Sequence, residues 1–150
     1  MVVILIPAYK PDEGMLALLN ALIAQKRYAG IVVVDDGSGS DYRPIFEAAE
    51  QMAGVVVVRH AVNQGKGRAL KTGLNAALNI WPDLSGVVTA DADGQHTLRD
   101  ILRIIEAMRA FDHLAPGLYS KNTLLYGVEV KFYNMEVAVD EHLQTRYPGL

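Results

Sequence analysis

The sequence predicts an α/β fold, a mainly parallel sheet flanked by helices, and three observations carry that prediction. Short continuous apolar runs rich in β-branched residues recur at Val2–Ile6, which Pro7 is expected to stop, and at Ile31–Val34, Val55–Val58 and Gly86–Thr89. Amphipathic helical stripes lie between and after these runs. A polar or glycine-containing segment follows every run. Near-continuous apolar strands suit a parallel sheet covered on both faces. Strand–helix alternation along the chain implies right-handed crossovers.

Each helix is read from its apolar stripe. Met15, Leu16, Leu18, Leu19, Leu22 and Ile23 form the first, and Tyr42, Ile45, Phe46, Ala49 and Met52 the second. Ala69, Leu70, Leu74, Ala77 and Leu78 form the third, with Trp81-Pro82 closing it and Trp81 expected in the core. Leu98, Ile101, Leu102, Ile105 and Met108 form the fourth, opened by Thr97 with Asp100 three residues on as a capping box. One domain is expected for 150 residues, and a 51% hydrophobic content is ordinary for a globular core. No internal repeat or low-complexity tract interrupts the pattern.

Bulk properties narrow the function classes. A formal charge of −3 without a basic run argues against a nucleic-acid partner. The absence of cysteine excludes disulfides and thiolate metal sites. No apolar stretch approaches the roughly 18 residues that span a bilayer. Met1 runs directly into an apolar strand pattern, which reads as a core strand rather than a signal peptide, so a cytoplasmic location, peripheral to the membrane at most, is expected.

In an open α/β sheet the segments after the strands share one rim, where ligands bind. Pro7-Ala8-Tyr9, Asp35-Asp36-Gly37-Ser38, His60–Gly67 and Asp91–His96 are therefore expected to converge. Asp91 and Asp93 are the most informative pair, because clustered carboxylates repel each other unless something offsets the charge. A divalent cation loaded with phosphate does so, and magnesium takes one or two carboxylates besides water and phosphate oxygens. If the strand stays extended, Asp91, Asp93 and Gln95 point the same way; a turn at Gly94 also lets their oxygens converge. The bland alternative is an Asx-type turn in which the aspartates only cap backbone amides.

The other motifs carry similar pairs of readings. Asp36 accepts from a base N–H or ribose hydroxyl, or else Asp35-Asp36-Gly37 is merely a turn. Asn63–Arg68 opens the third helix with amides, Lys66 and Arg68 at hand for a diphosphate, or else is a glycine turn with two solvated cations. It matches neither the P-loop nor the dinucleotide fingerprint. Tyr9 stacks on a base or anchors its loop. Among the histidines His96 stands beside the carboxylates, whereas His60, His113 and His142 read as surface or loop residues.

Ile6-Pro7-Ala8-Tyr9, Val33–Ser38, Asn63–Ala69 and Ala90–His96, in this order and spacing, resemble family 2 glycosyltransferases, nearest the dolichyl- or polyprenyl-phosphate sugar transferases. The resemblance implies a Rossmann-like GT-A nucleotide-binding half over residues 1–111, with 112–150 an atypical C-terminal extension of the same domain. It implies Pro7, Tyr9, Asp36 and Lys66 around the nucleotide, and Asp91, Asp93 and Gln95 as ligands of Mg2+ or Mn2+. The partners it implies are a nucleotide-sugar donor and a polyprenyl-phosphate acceptor. Lys10-Pro11-Asp12-Glu13 departs from the Asn-Glu that often follows the tyrosine in the family, and Asp112–Leu150 matches no acceptor half. The chain is therefore expected to be truncated after the nucleotide-sugar half and to self-associate as a homo-oligomer. No catalytic base is assigned.

Three other readings make different demands on the sequence. A phosphotransfer receiver expects an acidic pair after its first strand, where Pro7-Ala8-Tyr9 stands. An Asp-x-Asp-Gly phosphohydrolase expects its motif near the start of the domain, not after the fourth strand. A non-catalytic nucleotide-binding domain is the remaining alternative.

Overall fold

The computed structural model describes residues 1–93 and 97–114, with the side chains of the last helix described to 109. The elements run β1 (Val2–Ala8), α1 (Glu13–Ile23), β2 (Gly30–Asp35), a 3-10 turn (Ser40–Tyr42), α2 (Arg43–Glu50), β3 (Val55–Arg59), α3 (Lys66–Ile80), β4 (Gly86–Thr89) and α4 (Leu98–Leu114). The strands form one sheet in the order β3-β2-β1-β4. Every pairing is parallel, as the apolar runs predict.

One strand differs from its sequence reading. Pro7 does not stop β1, which continues to Ala8 with Pro7 opposite Val34. The backbone register explains why. The Ala8 carbonyl accepts from Asp36 N on the β2 side, whereas the Leu5 carbonyl accepts from Ala90 N on the β4 side. Odd-numbered residues of β1 therefore turn their backbone groups toward β4, whose pairing ends at Leu5↔Thr89. The missing N–H of Pro7 falls beyond that end, where no ladder bond is lost.

Side-chain alternation divides the core. Val2, Ile4, Ile6 and Ala8 pack with Met15, Leu19 and Leu22 of α1, Phe46 and Ala49 of α2, and Ile101 and Ile105 of α4. Val3 and Leu5 face the other way, against Ala69, Leu74 and Ala77 of α3. Gly73 lets α3 come close, because a Cβ there would overlap Leu5 and Val34. Trp81 is only partly buried, packed at the margin of the α3 face. Helix starts follow local chemistry: Asp12 caps α1 by accepting from Gly14 N at 2.8 Å. Ahead of α4 Asp100 N donates to Thr97 Oγ1 at 3.2 Å, one half of the expected capping box, and the Thr97 hydroxyl donates to Asp100 Oδ2 at 2.6 Å.

The chain winds outward from β1 through β2 to β3, then returns to place β4 on the other side of β1. Such a reversal opens a crevice at the carboxyl ends of the strands. Among the described residues, no helix is long and apolar enough to cross a membrane.

Candidate functional site

The rim above the crevice is built by loops locked to one another. Asp35 Oδ1 accepts from Ser38 N at 2.9 Å, closing an Asx-type turn, and the Ser38 hydroxyl accepts from Lys10 N at 2.9 Å. The loop after β1 is thereby tied to the loop after β2. Gly37 adopts φ +70° with the Val62–Asn63 backbone against it, so a Cβ would be strained and overlapped. Asp35 thus follows the turn reading, while its neighbour does something else.

Asp36 is nearly buried, its side chain 4% exposed, and it gathers three donors. Oδ1 accepts from Gln64 N at 2.9 Å and lies 2.7 Å from His60 Nδ1; Oδ2 accepts from Gly65 N at 2.8 Å. Burial alone would raise its pKa, but the hydrogen bonds from Gln64, His60 and Gly65 together outweigh burial and hold it below the ordinary carboxylate value. The carboxylate is a clamp that ends β2 by gripping the entry to α3.

His60 lies in the loop after β3, as one half of its sequence reading has it, but it is not a surface residue. Its side chain is 7% exposed, and Nε2 sits 2.9 Å from Thr72 Oγ1 on α3. Asp35 is paired with Arg59, so the next residues of the two parallel strands, Asp36 and His60, come side by side. That register was the signal available for finding the pair.

The expected seat of free amides before α3 is also modified, since the Gln64 and Gly65 amides are already taken by Asp36. Gly65, at φ 90°, caps α3 without a side chain. Lys66 follows as the first helical residue. A cation at a helix N-terminus opposes the helix dipole, and an anion bound there would offset it.

Two adjoining depressions occupy the crevice. One of about 250 Å³ is lined by Pro7, Ala8, Tyr9, Asp36, Asn63, Gly65, Lys66 and Ala69. The other, about 320 Å³, is lined by Pro7, Tyr9, Lys66, Asp91, Ala92 and Asp93. Each alone is at the small end for a ligand site. Because they share Pro7, Tyr9 and Lys66, they form one groove from Asp36 to the aspartate pair. Tyr9 is 50% exposed, so it is not a buried loop anchor; Lys10 Nζ lies 5.3 Å from its ring centroid.

Lys66 Nζ lies 2.5 Å from Asp91 Oδ1, with the lysine side chain 62% exposed. An ion pair this exposed contributes about 0–1 kcal/mol, so its lysine is easily redirected. Ala92 and Asp93 lie in a turn, so the extended alternative for the motif does not apply. Asp91 is half-buried and Asp93 exposed. Gln95 and His96 lie outside the described residues, as does 115–150 of the expected extension. Among the described residues, no group of three or more acidic or imidazole side chains converges. Two carboxylates opening on a groove fit a hard cation that completes its shell with water and phosphate oxygens.

Comparison with known proteins agrees with this architecture. A protein of Methanocaldococcus jannaschii with no assigned role is 36% identical over 103 residues, which cover 69% of this chain and 40% of that protein. The UDP-N-acetylglucosamine--dolichyl-phosphate N-acetylglucosaminyltransferase of Methanococcus voltae is 31% identical over 119 residues, 71% of this chain and 46% of its own. This chain thus spans less than half the length of these relatives. The crystal structure of S. aureus TarS 1-349 superposes with a TM-score of 0.52 at 25% identity, over 71% of this chain and 32% of that one. The model of glycosyl transferase family 2 matches residues 3–128, most of the sequence, and the chain belongs to that family.

Proposed function

We propose that the groove binds a nucleoside diphosphate sugar and that the protein serves sugar transfer to a polyprenyl-phosphate acceptor. The observation that carries this reading is the single groove joining the Asp36 clamp, Lys66 and the Asp91/Asp93 pair. It offers the Asp36 carboxylate and the Tyr9 ring toward one end and a lysine with two carboxylates toward the other. The Methanococcus voltae relative, named as a transferase to dolichyl phosphate, supports the acceptor class.

In this reading Tyr9 offers an exposed ring for the base or ribose beside Pro7. Asp36 turns its remaining acceptor capacity toward a base N–H: Oδ1 has two partners and Oδ2 one. Lys66 leaves Asp91 for the diphosphate. Asp91 and Asp93, with Gln95 in reach by sequence, hold Mg2+ or Mn2+. The chemistry such a cation supplies is neutralisation of charge on the departing diphosphate. In the transfer, an acceptor oxygen bonds to the anomeric carbon as the bond from that carbon to the diphosphate breaks, its electrons leaving with the diphosphate. A phosphate acceptor is already anionic and needs no base.

Titration calorimetry with a panel of nucleoside diphosphate sugars, with and without manganese, tests the reading. One nucleotide should bind with micromolar affinity in manganese and at least tenfold more weakly without it. A panel in which nothing binds would remove the donor-site assignment and leave the fold alone.

Self-association is part of the same proposal. Among the described residues β3 ends the sheet, with a pairing partner only on the β2 side, and an uncovered strand edge invites pairing. Sedimentation at micromolar concentration should show a dimer or larger species, and a monomer throughout would refute this element.

A further inference from the structure

His60 lies outside the groove lining, yet it holds one residue of that lining, Asp36. An ionised carboxylate can only accept, so the 2.7 Å contact with Asp36 Oδ1 requires a proton on Nδ1 of His60. In the neutral imidazole Nε2 must then accept, and the Thr72 hydroxyl, 2.9 Å away, is the donor. Thr72 belongs to α3, packed on the sheet through Ala69, Leu74 and Ala77. The ring therefore bridges a fixed helix to the Asp36 carboxylate. With Gln64 N it fills Oδ1, leaving Oδ2, bonded to Gly65 N, as the oxygen with acceptor capacity to spare.

We infer that His60, anchored by Thr72, is a positioning residue that fixes Asp36 as a one-way acceptor and thereby makes the groove select bases that present a ring N–H. The inference rests on the donor-site reading above and adds to it the origin of base selectivity. Uracil at N3 and guanine at N1 carry that proton, whereas cytosine and adenine present a lone pair at the same ring position. A lone pair facing a fixed carboxylate is repelled and unpaired, and a buried polar group without a partner is costly. If Asp36 were free to turn, water or a second rotamer would relieve the mismatch, and discrimination would fade without the fold being lost. His60 does not touch the base. It acts by denying Asp36 any other orientation.

The test compares UDP with CDP and GDP with ADP, each in manganese, on the full chain by calorimetry. Within each pair the bases differ in the ring proton, and the pair with measurable affinity in the wild type is followed. The wild type should favour the N–H base at least tenfold. His60→Phe keeps the ring volume and removes both contacts; it should weaken the N–H base about tenfold or more while changing its partner little, so the preference collapses. In His60→Asn the amide nitrogen falls near the Nδ1 position and restores a donor to Asp36, so most of the preference should return. Thr72→Val, nearly isosteric, should give an intermediate preference, and it carries the test with His60→Asn if His60→Phe does not fold.

A merely structural role for His60 would weaken both nucleotides equally and leave their ratio at the wild-type value, which overturns the inference. A Thr72→Val protein with the full wild-type preference overturns the anchoring step. If the wild type binds none of the nucleotides, the donor-site reading itself fails and takes the inference with it. Binding that discriminates but ignores His60 refutes the inference alone.

Discussion

Asp36→Asn should cost the fold about 3 kcal/mol and lose most nucleotide affinity, two effects read in separate experiments. Three donors converge on the Asp36 carboxylate: Gln64 N, Gly65 N and, through the proton required on Nδ1, His60. Asparagine supplies one carbonyl oxygen and an NH2 group in the same volume, so at least one of those donors must face another donor. Leaving a buried group unsatisfied costs about 1–3 kcal/mol, and bonds to a charged acceptor stand at the upper end. For a chain of this size, each kcal/mol lowers the melting temperature by roughly 2–4 °C, so a drop of about 6–12 °C is expected. Nucleotide affinity should fall by at least tenfold even at temperatures where the variant is folded, because the entry to α3 loses its clamp. A melting temperature and an affinity both equal to wild type would show that the three contacts are dispensable.

The pH dependence of that loss has a definite sign. The pKa of Asp36 is held below its ordinary value, so the unfolded state takes up the proton first as pH falls. Its stabilising contribution is fully present above an ordinary carboxylate pKa, near 4, and is lost as pH drops through the folded-state value. The gap in melting temperature between wild type and Asp36→Asn should therefore be constant near neutrality and shrink below about pH 4. A gap that widens in acid would contradict the assignment of the depressed pKa to Asp36.

The asymmetry between fold and site in what the sequence discloses has a physical origin. A parallel sheet covered on both faces writes itself as apolar runs, and β4 occupies Gly86–Thr89 as read while β2 and β3 extend their runs by a residue or two. The strand ends then fix the rim, so Tyr9, Asp36, Lys66, Asp91 and Asp93 could be gathered there before any coordinate. Pro7 misleads in the sequence because its effect depends both on which side its backbone faces and on how far β4 pairs. His60 was misread because burial of a lone polar residue leaves no periodic trace; only its register with Asp36 and the hydroxyl of Thr72 make it structural. Asp36 was posed as either turn or ligand, but the clamp it forms with the 64–65 backbone is a long-range contact that neither local reading contains.

Asp93→Asn should show the second large effect, on metal-dependent binding. A diphosphate entering the groove meets Lys66 but also Asp91 and Asp93. A pair of unit charges about 4 Å apart near a protein surface interacts by about 4 kcal/mol, so carboxylates beside the diphosphate oppose it and a bridging cation reverses the sign. Removing one carboxylate takes away a ligand for the cation and, at the same time, some of the repulsion. Asp93→Asn should therefore weaken nucleotide-sugar binding in manganese by at least tenfold, leave binding of the free nucleoside nearly unchanged, and weaken metal-free nucleotide binding not at all. Lys66→Met has a different signature. It removes a cation from the phosphates whether or not metal is present, while releasing Asp91 from the 2.5 Å ion pair. Affinity for the nucleotide should fall in both conditions, and affinity for manganese alone should rise. Parallel losses for Asp93→Asn with and without manganese would take Asp93 out of the metal site and return the motif to its reading as a turn.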